Sequence, residues 1–134
     1  MTIDIPNRFY EVTYNGAHYP GSPKTNGLTG GANCQVFAYE LLKHHGVTIP
    51  DLRSSDLWED SEYTEQVDEL QPLDLLLWNK TDNAWGAHVG LYIGDNQAVH
   101  LSKENNQLAI WPLEKFLQQP LYKVFIGAKR VLGK

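Results

Sequence analysis

Three residues of this 134-residue chain have the types for nucleophilic chemistry: Cys34, His88 and His100. A thiolate attacks carbonyl carbon, and an imidazole within reach takes the thiol proton and returns it to the leaving group. A second polar group on the far ring nitrogen then fixes the imidazole's tautomer and orientation. Cys34 is the chain's one cysteine, which excludes an intramolecular disulfide and a multi-cysteine zinc site. A lone cysteine is commonly just a small buried hydrophobe. The case for chemistry therefore rests on the elements that hold these three residues.

Cys34 to His45 reads as an amphipathic helix, with Phe37, Leu41 and His45 at a spacing of four and Ala38 and Leu42 beside them. Asn33 is a good N-cap, and Gly46 stands where a C′ glycine belongs. Cys34 thus falls at the first helical position, where unpaired N–H groups and the helix dipole favour thiolate and lower the thiol pKa. His88 opens the run His88-Val89-Gly90-Leu91-Tyr92-Ile93, a strand pattern with Val89, Leu91 and Ile93 on the core face. His100 follows in Ala98-Val99-His100-Leu101-Ser102. A three-residue loop, Gly94-Asp95-Asn96, pairs Ile93 with Gln97 and sets His100 opposite Gly90, sharing a face with His88. A two-residue loop at Asp95-Asn96 would instead put the two histidines on opposite faces.

The rest of the chain supplies scaffold. Residues 15–33 hold five of the eleven glycines and two of the seven prolines and read as loop. Residues 51–70 carry much of the acidic excess, with Arg53 their one basic residue; a solvated segment, helical in part and capped by Ser54 or Ser55, is expected. Strands are expected over Asp74–Trp78, Ala87–Ile93, Ala98–Ser102, Leu108–Trp111 and Tyr122–Val131, with a short helix from Pro112 to Gln119. The layout is a single α+β domain spanning 1–134, its cysteine-bearing helix packed on an antiparallel meander of about five strands. Eleven basic against sixteen acidic residues, with no basic run longer than Lys129-Arg130, argue against a nucleic-acid partner. No stretch approaches the roughly 20 apolar residues of a membrane helix. Met1-Thr2-Ile3-Asp4-Ile5-Pro6 has neither the basic nor the apolar part of a secretory signal. The expectation is a cytoplasmic protein or one exported by a route without a Sec-type mark.

These motifs resemble those of the NlpC-type papain-like cysteine peptidases, bacterial hydrolases of cell-wall peptides. That family has Asp-Cys-Ser-Gly at a helix start, Gly-Asp-Leu at a strand start, and His-Val-Gly-Ile-Tyr-Ile-Gly. A third polar residue follows twelve positions after the histidine. Here stand Asn33-Cys34-Gln35-Val36, Leu73-Asp74-Leu75, His88 to Gly94, and His100 twelve residues on. The resemblance spans roughly Tyr19 to Ser102 and implies a papain-like core with Cys34 as nucleophile, His88 as base and His100 as orienter. It implies a peptide or peptidoglycan fragment as substrate, a thioester intermediate and no cofactor. Tyr19, in Tyr19-Pro20-Gly21, is the nearest counterpart of a family tyrosine near the oxyanion and substrate amine. Ile49-Pro50-Asp51-Leu52-Arg53-Ser54-Ser55 resembles the family's Pro-Arg-Thr-Ser stretch beside the cleft. The family's aspartate and serine flanking the cysteine commonly hold a substrate ammonium. Asn33 and Gln35 take those places here, so the charge-assisted part of that contact is lost. Leu73 replaces the usual glycine.

Two other readings compete. A zinc site would draw on Cys34, His44, His45, His88 and His100, yet none forms a His-x-x-x-His or Cys-x-x-Cys pair, so no metal is expected. A silent binding module of the same fold would line its groove with tryptophans, Trp85 beside His88 first among them, the others being Trp58, Trp78 and Trp111. A papain-like amidase or acyl hydrolase acting outside the wall is the nearer alternative. The acidic 51–70 segment is also a candidate face for a protein inhibitor or immunity partner.

Overall fold

The structure, a computed structural model, describes residues 2–132. Its elements are α1 (Asn7–Tyr10), α2 (Cys34–His44), α3 (Ser54–Glu59), β1 (Thr64–Val67), β2 (Leu75–Asn79), β3 (His88–Gly94), β4 (Gln97–Ser102), β5 (Gln107–Pro112), α4 (Leu113–Leu117) and β6 (Val124–Val131). The helix expected from Cys34 forms, and its ends follow from local chemistry. Asn33 Oδ1 accepts from Val36 N–H at 2.9 Å, satisfying one of the first-turn donors. At the other end Gly46 takes φ +82°, with Gly46 N–H donating to Lys43 O and Val47 N–H to Leu42 O. That is a Schellman closure, which a glycine adopts without a Cβ clash.

The sheet is antiparallel throughout but is not a simple meander. Its order is β1-β6-β2-β3-β4-β5, so β2 to β5 run as neighbours while β6 crosses back to pair with β2. The expectation of about five strands is corrected to six. The extra one, β1, lies inside the acidic segment expected to be solvated and pairs with β6, Thr64 opposite Val131. Only Thr64 of its four residues is buried, so this edge strand lacks the apolar alternation that announces a strand.

Apolar side chains cover both faces of the sheet. On one, Val89, Leu91, Ile93, Val99 and Leu101 meet Phe37, Leu41 and Leu42 of α2. On the other, Leu76, Trp78, Ala98 and Trp111 pack beneath Phe116 of α4 and Tyr122, with Trp78 stacked on Phe116 at 4.0 Å. Gly127, at φ +153°, lets the Trp58 indole close on β6, because a Cβ there would fall 2.5 Å from Trp58 Cη2.

The β3–β4 hairpin uses both alternatives that the sequence poses. Its turn is the two-residue one, Asp95 and Asn96 at φ +53° and +61°, the left-handed pair that a hairpin of this hand requires. Gly94 therefore pairs with Gln97, and an extra residue, Ile93, then bulges before Tyr92 meets Ala98. The bulge returns the register to that of the three-residue loop. Continued one step, it places His100 across from Gly90, and a Cβ on Gly90 would lie 3.4 Å from that of His100.

Candidate active site

Cys34 caps the helix side of the sheet, whereas His88 and His100 belong to the opposite face; they converge at the end of β3. Cys34 is half-buried and lines two adjoining cavities, of about 450 and 210 Å³, so the thiol sits in the floor of a continuous cleft. The larger cavity carries Asn33, Arg53, Ser55, Asp56 and Trp85. The smaller carries His88, Lys80, Lys103, Leu121 and Tyr122. Tyr14, Gly86 and Ala87 border both.

The imidazole pair has a definite geometry. His88 Nε2 and His100 Nδ1 are hydrogen-bonded at 2.8 Å, with the two rings nearly perpendicular. This contact leaves His88 Nδ1 for the cleft. His88 is stacked against Tyr122 at 4.4 Å, and His100 is enclosed by Trp111 at 4.4 Å and Phe116 at 4.7 Å. Among the described residues His100 Nε2 is one of two buried side-chain polar atoms with no hydrogen-bond partner. Aromatic π faces are weak acceptors of N–H, so an all-aromatic surround suits a His100 protonated at Nε2 and accepting at Nδ1.

Burial sets the charge state. It holds His88 down to about 3 and His100 to about 2, the latter also repelled by His88 and Lys115. Burial likewise pushes the Cys34 thiol up. The backbone N–H groups of Val89, Gln35 and Cys34 and the charge of Arg53 oppose it without prevailing. The thiol lowered by its helix end is thus not what the structure holds: desolvation outweighs the dipole, and thiol and imidazole both rest neutral.

The remaining sequence candidates divide. Asn33 is buried by its capping role, although it borders the larger cavity. Gln35 also borders it, but its Nε2 donates to Leu52 O at 2.9 Å and Tyr39 Oη at 3.1 Å. Ser54 Oγ accepts from Gly86 N–H at 3.0 Å and joins the two walls of the larger cavity, while Trp85 is 75% exposed on its rim. Tyr19 borders neither cavity; its ring lies under the Arg53 guanidinium at 4.2 Å. Tyr14 instead borders the thiol. It is brought there by a parallel bridge to Ala32, and both burial and the proximity of Cys34 raise its pKa. No periodicity signals that bridge across a glycine-rich loop. Among the described residues no group of three or more metal-ligating side chains converges.

Sequence comparison matches the NlpC/P60 family over residues 16–126. The chain belongs to the NlpC/P60 family. A Bacillus cereus protein named gamma-D-glutamyl-L-lysine dipeptidyl-peptidase is 31% identical over 135 residues, covering 96% of this chain but 38% of that protein. This chain therefore spans well under half of that relative. The crystal structure of an NlpC/P60 family protein from Bacillus cereus is 30% identical, with TM-score 0.58 over 76% of this chain and 32% of that one. The NlpC/p60 domain of the peptidoglycan hydrolase SagA shares the fold at 18% identity, with TM-score 0.56 over 81% of this chain and 84% of its own. The fold is the papain-like one of NlpC/P60 domains. Against the NlpC/P60 pattern this member keeps Asp74, buried and paired with Arg130 at 2.8 Å, but carries Leu73 at φ +82° where a glycine is usual.

Proposed function

We propose that this domain is a cysteine hydrolase that cleaves amide bonds in peptidoglycan peptides. The observation that carries it is the 2.8 Å contact between His88 Nε2 and His100 Nδ1, which leaves the other ring nitrogen of His88 available beside the cavity that it lines together with Cys34. The family match and the names of its peptidase and peptidoglycan-hydrolase members support the substrate class.

Because thiol and imidazole rest neutral, His88 Nδ1 takes the thiol proton as Sγ attacks the carbonyl carbon. The imidazolium so formed keeps its Nε2–H on His100 Nδ1, and no carboxylate is needed to hold it. The oxyanion that develops meets backbone N–H at the start of α2 and Tyr14 Oη, which replaces Tyr19 in this reading. His88 then returns its proton to the leaving nitrogen, the C–N bond breaks and a thioester remains. Water that gives its proton to His88 cleaves the thioester and releases the acid.

Digestion of purified peptidoglycan, with new termini identified by mass spectrometry, tests this. Native protein is expected to generate a new amine and carboxyl terminus, and Cys34→Ala or His88→Ala to lower the rate by about 10³-fold or more while retaining the native circular dichroism. Unchanged cleavage by Cys34→Ala would refute the assignment.

A further inference from the structure

We infer that the His88 end of the cleft is a carboxylate-binding subsite, built by Lys80 and Lys103, that selects substrates whose leaving amine belongs to an anionic residue. The inference rests on the reading of His88 as proton donor to the leaving nitrogen. A donor must lie within hydrogen-bond reach of that nitrogen. His88 borders the 210 Å³ cavity and not the 450 Å³ one, so the leaving residue lies in the smaller cavity.

The charges there run against the chain as a whole. The protein has net charge −5, yet this cavity is lined by two lysines and by no carboxylate, whereas the larger one is lined by both Arg53 and Asp56. Glu104, next to Lys103, bears on Tyr122, and Asp82 stands two residues from Lys80, but neither lines the cavity. Two ammonium groups at one end of a cleft attract an anion and repel a cation, which discriminates by charge more than it adds affinity.

Both lysines stand on braced loops. Asn79 Oδ1 accepts from Lys80 N–H at 2.9 Å, while its Nδ2 donates to Asn83 O at 2.8 Å and Trp85 O at 3.1 Å. The turn bearing Lys103 is tied by Asn105 N–H to Ser102 Oγ at 3.2 Å and by Tyr14 N–H to Asn106 Oδ1 at 2.9 Å. The backbone ordering that binding would otherwise cost is already present, and only the two side chains remain to be fixed.

Two measurements test the subsite. The first compares kcat/KM for a pair of peptides with the acyl part of the fragment released from peptidoglycan and with glutamate or glutamine as leaving residue. Native protein is expected to favour glutamate about tenfold, and Lys80→Ala/Lys103→Ala to bring the two within about twofold. Equal rates in the native protein, or a preference that survives in the double variant, would overturn the inference. The second needs no hydrolysis: the ratio of iodoacetate to iodoacetamide alkylation rates at Cys34, normalised to free cysteine. It should fall about fivefold in the double variant and in 0.5 M salt; an unchanged ratio counts against the subsite. A protein that cleaves no peptidoglycan but shows this fall has lost the proposed function and kept the subsite.

Discussion

At the scale of single residues, the unusual feature is a buried imidazole, His100, bonded to a half-buried one, His88, with no acid to charge them. Both are held far below the ordinary histidine value, His88 to about 3 and His100 to about 2. The unfolded chain therefore binds protons that the folded protein refuses, and stability falls as pH drops below about 6.5. Two such groups cost roughly 4 kcal/mol between pH 7 and pH 5 by that linkage, and His100→Asn, with one group fewer, about half. Urea midpoints at pH 7, 6 and 5 for both proteins read this directly. Equal pH dependence in the two would mean that His100 is charged when folded. The types and twelve-residue spacing of these histidines are legible in the sequence, as is Cys34 at a helix start. Their charge is not, because desolvation depends on Trp111, Phe116 and Tyr122, which reach the site only through the tertiary fold.

At the scale of elements, β2 begins after a residue in a conformation that its side chain resists. Leu73 holds φ +82° while its N–H donates to Tyr92 O at 2.8 Å, and Tyr92 N–H donates to Asp74 O at 2.8 Å, so the strained residue is stitched into the sheet on both sides. A left-handed backbone costs a non-glycine residue roughly 1–2 kcal/mol. Leu73→Gly should therefore be more stable than Leu73→Ala by about 1 kcal/mol, reversing their usual order, as measured by urea unfolding; the ordinary order would show that the strain is absent. Here too the sequence reading has a clear limit. The helix at Cys34 and the strands β2 to β5 follow from periodicity and turn residues, and the family resemblance supplied the papain-like arrangement. The placement of β6 beside β2 has no local signal, since it depends on a pairing between residues some fifty positions apart. Strand β1 buries one side chain of four and leaves periodicity nothing to detect.

At the scale of the whole molecule, one wall of the cleft is held by a lysine on β6, the strand between β1 and β2. Lys129 is buried, and its Nζ donates to Trp58 O at 3.1 Å and to Asp60 O, fastening α3 and the residues after it to β6. Ser55 and Asp56, which line the larger cavity, belong to α3, and Arg53, which lines it too, is the N-cap residue of that helix. Lys129→Met keeps the stem and removes the donors, and is expected to cost about 2 kcal/mol. Hydrogen exchange should quicken first in residues 54–60; a variant as stable and as protected there as the native protein would contradict this role. The two sides of the sheet have a related consequence. Cys34 packs with the cluster under α2, while His88 packs with Trp78 and Tyr122 of the cluster under α4. An intermediate on the folding route with only one cluster formed presents either the thiol or the imidazole pair, never both in one cleft. Under the proposed mechanism, a chain with only one cluster formed lacks the pair of groups needed to cleave an amide.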